Sequence, residues 1–136
     1  MEHTINEQIL EKVKRFRLPE YEMIPDVAEE ENSNPSWFGF LIAVKEDAGF
    51  TRNQLTEYLE QNKIQTRNLF AGNLIKHPAF DEMRKSGEGY RQVGDLKNTD
   101  FVMTNTFWIG VYPGMTAEMN AWMIECITKF CNEHAK

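Results

Sequence analysis

Ser36-Trp37-Phe38-Gly39-Phe40-Leu41-Ile42-Ala43-Val44 is aromatic and aliphatic with no charge anywhere along it. Such a run predicts a strand buried on both faces. A few residues later, Phe50-Thr51-Arg52-Asn53-Gln54-Leu55 changes to a helical pattern. Thr51 and Gln54 make a capping box, Phe50 and Leu55 a hydrophobic staple, and Leu55, Tyr58 and Leu59 the buried stripe of a helix ending near Asn62. A buried strand that feeds an amphipathic helix predicts an α/β fold.

Working outward, Ile64 to Phe70 reads as a second strand running into a turn at Gly72. Thr106 to Tyr112 is rich in β-formers and predicts a third strand, stopped by Pro113-Gly114. Beyond it, Met119, Trp122, Met123, Cys126, Ile127, Phe130 and Cys131 recur at helical spacing, giving a long amphipathic helix capped by Thr116. Its Met and Trp stripe reads as core packing rather than a cofactor box.

At the other end, Thr4 and Glu7 fit a capping box, and Ile5, Ile9, Leu10, Val13 and Phe16 share one helical face, so a helix is expected from Thr4 to Phe16. Leu18 to Pro35 holds Pro19, Pro25 and the acidic run Glu29-Glu30-Glu31 and reads as an irregular connection with a solvated charge run. Pro78 and Lys85-Ser86-Gly87-Glu88-Gly89 mark a flexible excursion. Three strands with helices packed on one face make a small two-layer α/β (α+β) sandwich. The expected organisation is a single domain over 1–136, with 1–17 as an N-terminal helix and 18–136 as the body.

The composition sets limits on partners. With 136 residues, 41% hydrophobic and 26% charged, the chain is long enough for a modest core and far from a disordered composition. Its net charge of -6 disfavours nucleic acid and anionic lipid, since no sustained basic patch could neutralise phosphates. No segment has the roughly 20 apolar residues of a membrane span, and a cytoplasmic location is expected. Cys126 and Cys131 lie on one predicted helix, about 7.5 Å apart along its axis, which is too far for a disulfide. Both read as reduced core thiols.

Self-contained catalysis is not written in the chain. His3, His77 and His134 are scattered, and no His, Cys, Asp or Glu grouping has metal-ligand spacing. A nucleophile elbow, a P-loop and a complete dinucleotide fingerprint are all lacking; Gly87-Glu88-Gly89 is half of one, placed in a loop. The stretch that invites a ligand is Thr66-Arg67-Asn68-Leu69-Phe70-Ala71-Gly72-Asn73-Leu74, one cation in an uncharged segment followed by a glycine turn. Arginine offers a planar fork matched to phosphate or carboxylate, and glycine lets backbone approach a ligand. The plainer reading is a surface arginine at a strand end.

Three segments, Asn32-Ser33-Asn34-Pro35-Ser36-Trp37-Phe38-Gly39-Phe40, Thr66 to Leu74, and Asn98-Thr99-Asp100 with Thr106 to Gly114, stand in the order and spacing of one family. From about Leu18 to Phe130 the chain resembles the C-terminal domain of the CDP-4-keto-6-deoxy-D-glucose 3-dehydrases, RfbH-like enzymes of lipopolysaccharide O-antigen biosynthesis. These belong to the fold-type I sugar aminotransferase superfamily, the DegT/DnrJ/EryC1/StrS group.

The resemblance implies a parent enzyme that uses pyridoxamine or pyridoxal phosphate and a [2Fe-2S] cluster, both held in a large domain outside this sequence. It implies a CDP-linked 4-keto-6-deoxy sugar as substrate, loss of the C3 hydroxyl, an iron-sulfur reductase as electron donor, and a homodimer. This chain would hold no cofactor and no catalytic residue. It would supply one wall of the substrate cleft, with Arg67 meeting phosphate or sugar oxygens, Gly72 and Asn73 shaping the turn, and Phe38 offering a flat ring. Arg67 to Asn73 matches the family motif except at Asn68. Phe101 departs from relatives that carry arginine after Asn-Thr-Asp, which leaves the nucleotide sugar open, and Met83 to Tyr90 is longer than in some of them. A sugar aminotransferase domain and a free-standing binding or assembly module are the competing readings.

Overall fold

The computed structural model describes residues 38–134 and, further back, the backbone of 21–22. The expected helix from Thr4 to Phe16 lies outside the described residues. Four strands form one antiparallel sheet: β1 (Tyr21–Glu22), β2 (Gly39–Val44), β3 (Thr66–Asn68) and β4 (Thr106–Gly110), in the order β1-β2-β4-β3. Strands β2 and β3 both run antiparallel to the central β4, so they are parallel to each other. A crossover must join them, and helix α1 (Arg52–Gln61) supplies it.

The first turn of α1 follows the sequence signal closely. Thr51 Oγ1 accepts from the Gln54 amide at 3.3 Å while Gln54 Oε1 accepts from the Thr51 amide at 2.8 Å, so the capping box is complete. Phe50 and Leu55 are both buried around it. Helix α4 (Ala117–His134) begins with Met119 N donating to Thr116 Oγ1 at 3.2 Å, and packs beside α1. Phe130 is the joint between them, edge-on to Phe50 and tilted against Tyr58, both with ring centroids 5.1 Å away.

These helices cover the face of the sheet made by Ile42, Val44, Phe107 and Ile109, and Leu55, Leu59, Ile64, Cys126, Phe130 and Cys131 complete the core. Apolar area removed from water along this interface is what holds the two layers together. Arg52 is buried at the seam, its guanidinium donating to the Thr106 carbonyl at 3.0 Å.

Several expectations are corrected. The connection from Leu18 to Pro35 contains an element after all, since Tyr21–Glu22 pairs with Ala43 and Val44 at the sheet edge. The first strand is not buried on both faces: only Ile42 to Val44 is fully buried, and Gly39 to Leu41 is half open. The second strand is Thr66–Asn68 alone, and the third stops at Gly110 instead of reaching Tyr112.

The excursion around Pro78 is partly helical, with 3-10 turns at Leu74–Lys76 and Pro78–Phe80 and a short helix α2 (Asp81–Ser86) that ends on Gly87 in the left-handed region. A helix not expected at all, α3 (Lys97–Asn105), packs against β2 and β4. Met119 and Trp122, read as core, are 43% and 47% exposed, and Trp122 Nε1 donates to the Asn62 carbonyl at 3.1 Å.

Candidate functional site

Side chains alternate across a sheet, and the register sorts them. Phe107 and Ile109 face the helices, so Trp108 between them faces the opposite side. Arg67 is the cross-strand partner of Trp108 on β3 and points the same way. On β2, Gly39 and Leu41 share that face.

Trp108 is the hub of this surface. Its indole lies over Gly39, where an added Cβ would come within 1.9 Å of Cε3. The Phe38 ring is tilted against it at 4.4 Å and the Phe70 ring meets it edge-on at 6.2 Å. Neither phenylalanine is packed away, for Phe38 is 70% and Phe70 80% exposed. Arg67 is exposed beside them, and its side chain makes no hydrogen bond or ion pair among the described residues. An exposed guanidinium next to aromatic rings can pair with an anion while the rings pack against a flat or apolar ligand face.

The loop after Arg67 is held from outside. Ala71 and Gly72 both have positive φ, +65° and +59°, and the Gly72 amide donates to the Phe70 carbonyl at 2.9 Å. A Cβ on Gly72 would meet Met103 Cγ at 2.5 Å, so the turn lies directly on α3. Asn73, only 4% exposed, donates through Nδ2 to Asp100 Oδ1 at 2.8 Å and accepts from the Ile75 amide at 3.2 Å. Lys76 Nζ reaches the other Asp100 oxygen at 2.8 Å. The Lys76 ammonium, and then the Asn73 amide, hold the Asp100 carboxyl below its usual range.

Of the residues singled out in the sequence, Arg67 and Phe38 therefore stand together on the open sheet face, while Gly72 and Asn73 sit at the base of the loop. Sequence reasoning missed Trp108, Phe70, Asp100 and Met103. For Trp108, Phe70 and Asp100 a signal existed, since all three lie inside quoted motifs, but only the register of β3 on β4 and the packing of α3 on the Gly72 turn bring them to this site. Phe101 is half-buried on α3.

Among the described residues no cluster of His, Cys, Asp or Glu could hold a metal ion, and no helix is long and apolar enough to cross a membrane. Every described lysine is exposed or half-buried.

The chain is similar to known proteins over most of its length. The profile of the DegT/DnrJ/EryC1/StrS aminotransferase family matches residues 6–128. The chain is 48% identical over 99 residues to the dTDP-4-dehydro-2,6-dideoxy-D-glucose 3-dehydratase of Saccharopolyspora spinosa, covering 73% of this chain and 20% of that enzyme. It is equally 48% identical over 100 residues to the lipopolysaccharide biosynthesis protein RfbH of Salmonella typhimurium, covering 74% and 22%.

A solved E. coli GDP-4-keto-6-deoxy-D-mannose-3-dehydratase with bound hydrated PLP superposes with a TM-score of 0.67 at 23% identity, over 93% of this chain and 30% of that one. That likeness carries the fold. The chain spans about a fifth of the length of the curated relatives it matches.

Proposed function

Because the chain belongs to the DegT/DnrJ/EryC1/StrS aminotransferase family, we propose that it is the C-terminal small domain of a nucleotide-sugar 3-dehydratase of lipopolysaccharide biosynthesis. Its relatives at 48% identity include a sugar 3-dehydratase and RfbH, which favours dehydration over amino transfer. In this reading the substrate is a CDP-linked 4-keto-6-deoxy sugar, and the reaction removes its C3 hydroxyl. The parent enzyme is a homodimer served by an iron-sulfur reductase. Pyridoxamine phosphate and a [2Fe-2S] cluster sit in the rest of that enzyme, where the cofactor supplies the electron sink.

The observation that carries the proposal is Arg67, its side chain without a partner among the described residues, beside Trp108 on an open sheet face flanked by exposed Phe38 and Phe70. A nucleotide sugar presents both things this surface is built for, a diphosphate and ring faces. Here the chain's residues bind and orient: Arg67 takes diphosphate or sugar oxygens, the rings exclude water from the sugar, and no side chain transfers a proton. Without the cofactor domain the chain is inert.

Exposed apolar residues at Phe38, Phe70 and Leu74 also fit a face against which another domain packs. A free-standing binding module shares these features, so ligand binding decides between the readings. Calorimetric titration with CDP-hexose and dTDP-hexose, on the wild type and on Arg67→Ala, tests the proposal. Binding that weakens on loss of Arg67 supports a half-site for a nucleotide sugar, and the tighter ligand identifies the nucleotide. Equal binding by both proteins removes Arg67 from the site.

A further inference from the structure

The segment that presents Arg67 and Phe70 has little support of its own. Strand β3 is three residues long and, among the described residues, pairs on one side only, with β4. Two consecutive residues beyond it, Ala71 and Gly72, occupy the left-handed region. Alanine there costs energy that something outside the turn must offset.

Helix α3 provides that support through one carboxylate. Asp100 uses Oδ1 on the amide of Asn73 and Oδ2 on the ammonium of Lys76, so both ends of the turn that closes the loop are tied to a single side chain. Asn73 is buried, and its backbone N–H lies 3.3 Å from Met103 Sδ, one helical turn beyond Asp100. An amide at position 100 keeps one acceptor oxygen and turns an NH2 group on the second donor, so Asn73 Nδ2 and Lys76 Nζ can no longer both be satisfied, and one of them loses its acceptor, which is the costly way to break a hydrogen bond.

We propose that Asp100 is a positioning residue for the substrate loop, fixing through Asn73 where Arg67 and Phe70 stand on the open face of the sheet. The proposal rests on the reading of that face as a nucleotide-sugar half-site. Asp100 touches no ligand itself. It lies behind the loop, on the α3 side, while Arg67 and Phe70 face outward.

The test uses the 136-residue chain as wild type, Asp100→Asn, and the exchanged pair Asn73→Asp with Asp100→Asn, which restores a carboxylate-to-amide bond in the opposite sense. Three quantities are read: amide exchange at Gly72 to Lys76, the nuclear Overhauser contact between the Phe70 and Trp108 rings, and calorimetric affinity for a CDP-hexose. Asp100→Asn should raise loop exchange, weaken or abolish the ring contact, and lower affinity about tenfold. The exchanged pair should recover all three, while the thermal unfolding midpoint moves little, because the main core is not touched.

A retained ring contact with unchanged exchange in Asp100→Asn would overturn the proposal. So would increased loop exchange with unaltered affinity. Should the wild type bind no nucleotide sugar, the half-site reading fails, and the positioning role is then decided by the ring contact and exchange alone.

Discussion

The indole of Trp108 lies over the backbone of Gly39, so close that an ideal Cβ there would stand 1.9 Å from Cε3 and 2.6 Å from Cζ3. Glycine inside a strand has an entropic cost and no side chain to pack. Its justification here is the indole, which needs bare backbone beneath it to lie between Phe38 and Phe70. One small residue on β2 thereby sets the shape of a surface that three other segments share.

Gly39→Ala should consequently act on the site more than on the core. The added methyl forces the indole off the strand, at a cost of about 1–3 kcal/mol from overpacking. Near-ultraviolet circular dichroism should lose the coupled aromatic signal while the far-ultraviolet spectrum is kept. An unchanged near-ultraviolet spectrum would show that the ring does not rest where it is described.

Thr51→Ala removes the hydroxyl that caps α1 and leaves the Gln54 amide without a partner. The expected loss is about 1 kcal/mol, read from the urea midpoint. Gln54→Ala should cost less, because it removes the bonds that Gln54 Oε1 accepts from the Thr51 amide and hydroxyl but leaves the residue-54 amide capped by Thr51 Oγ1. The reverse ranking would mean that the helix starts elsewhere.

Cys126 and Cys131 are both buried in the core. Burial, with the Glu125 carboxylate adding to it, pushes the Cys126 thiol above its ordinary value, so little thiolate is available to attack a disulfide reagent. Both thiols should ignore such a reagent in native buffer and react together in guanidinium. Fast native reaction of Cys126 would contradict the packing of α4 on the sheet.

How much of this was legible depends on whether the cause is local. The Thr51 box, the Thr116 cap and the stripe of Leu55 and Leu59 were readable because their partners lie within a turn or two. Helix α3 was not: it starts at Leu96 in the left-handed region with no side-chain cap, and Phe101, Val102 and Met103 are consecutive rather than spaced. Its supports, Val44 and the Gly72 turn, are distant in sequence. Met119 and Trp122 share the helical spacing of the core residues yet stay exposed: the buried residues of α4, Cys126, Phe130 and Cys131, all lie in its C-terminal half, and Trp122 reaches the end of α1 through the Asn62 carbonyl. Arg67 could be chosen from its motif, but its neighbour Trp108 is set by register, which a single sequence does not display.

The Asp100 tie gives the loop a pH dependence with a definite sign. Lys76 first, and Asn73 second, lower the Asp100 pKa from its ordinary value of 3.8. A carboxyl held lower in the folded state stabilises it above the unfolded pKa, and that contribution is lost as pH falls through the folded one. Protection of the Gly72 to Lys76 amides should therefore be flat from neutral pH down to about 5 and fall only in more acid solution, below 3.8. Asp95 is also lowered, by Lys97 at the start of α3, and titrates in the same range. The comparison with Asp100→Asn separates the two: Asp95 remains in that variant, so whatever acid response it retains belongs to the helix start. The wild-type excess over that response belongs to the latch, and an identical acid profile in the two proteins would assign the loop's order to Met103 and Gly72 alone.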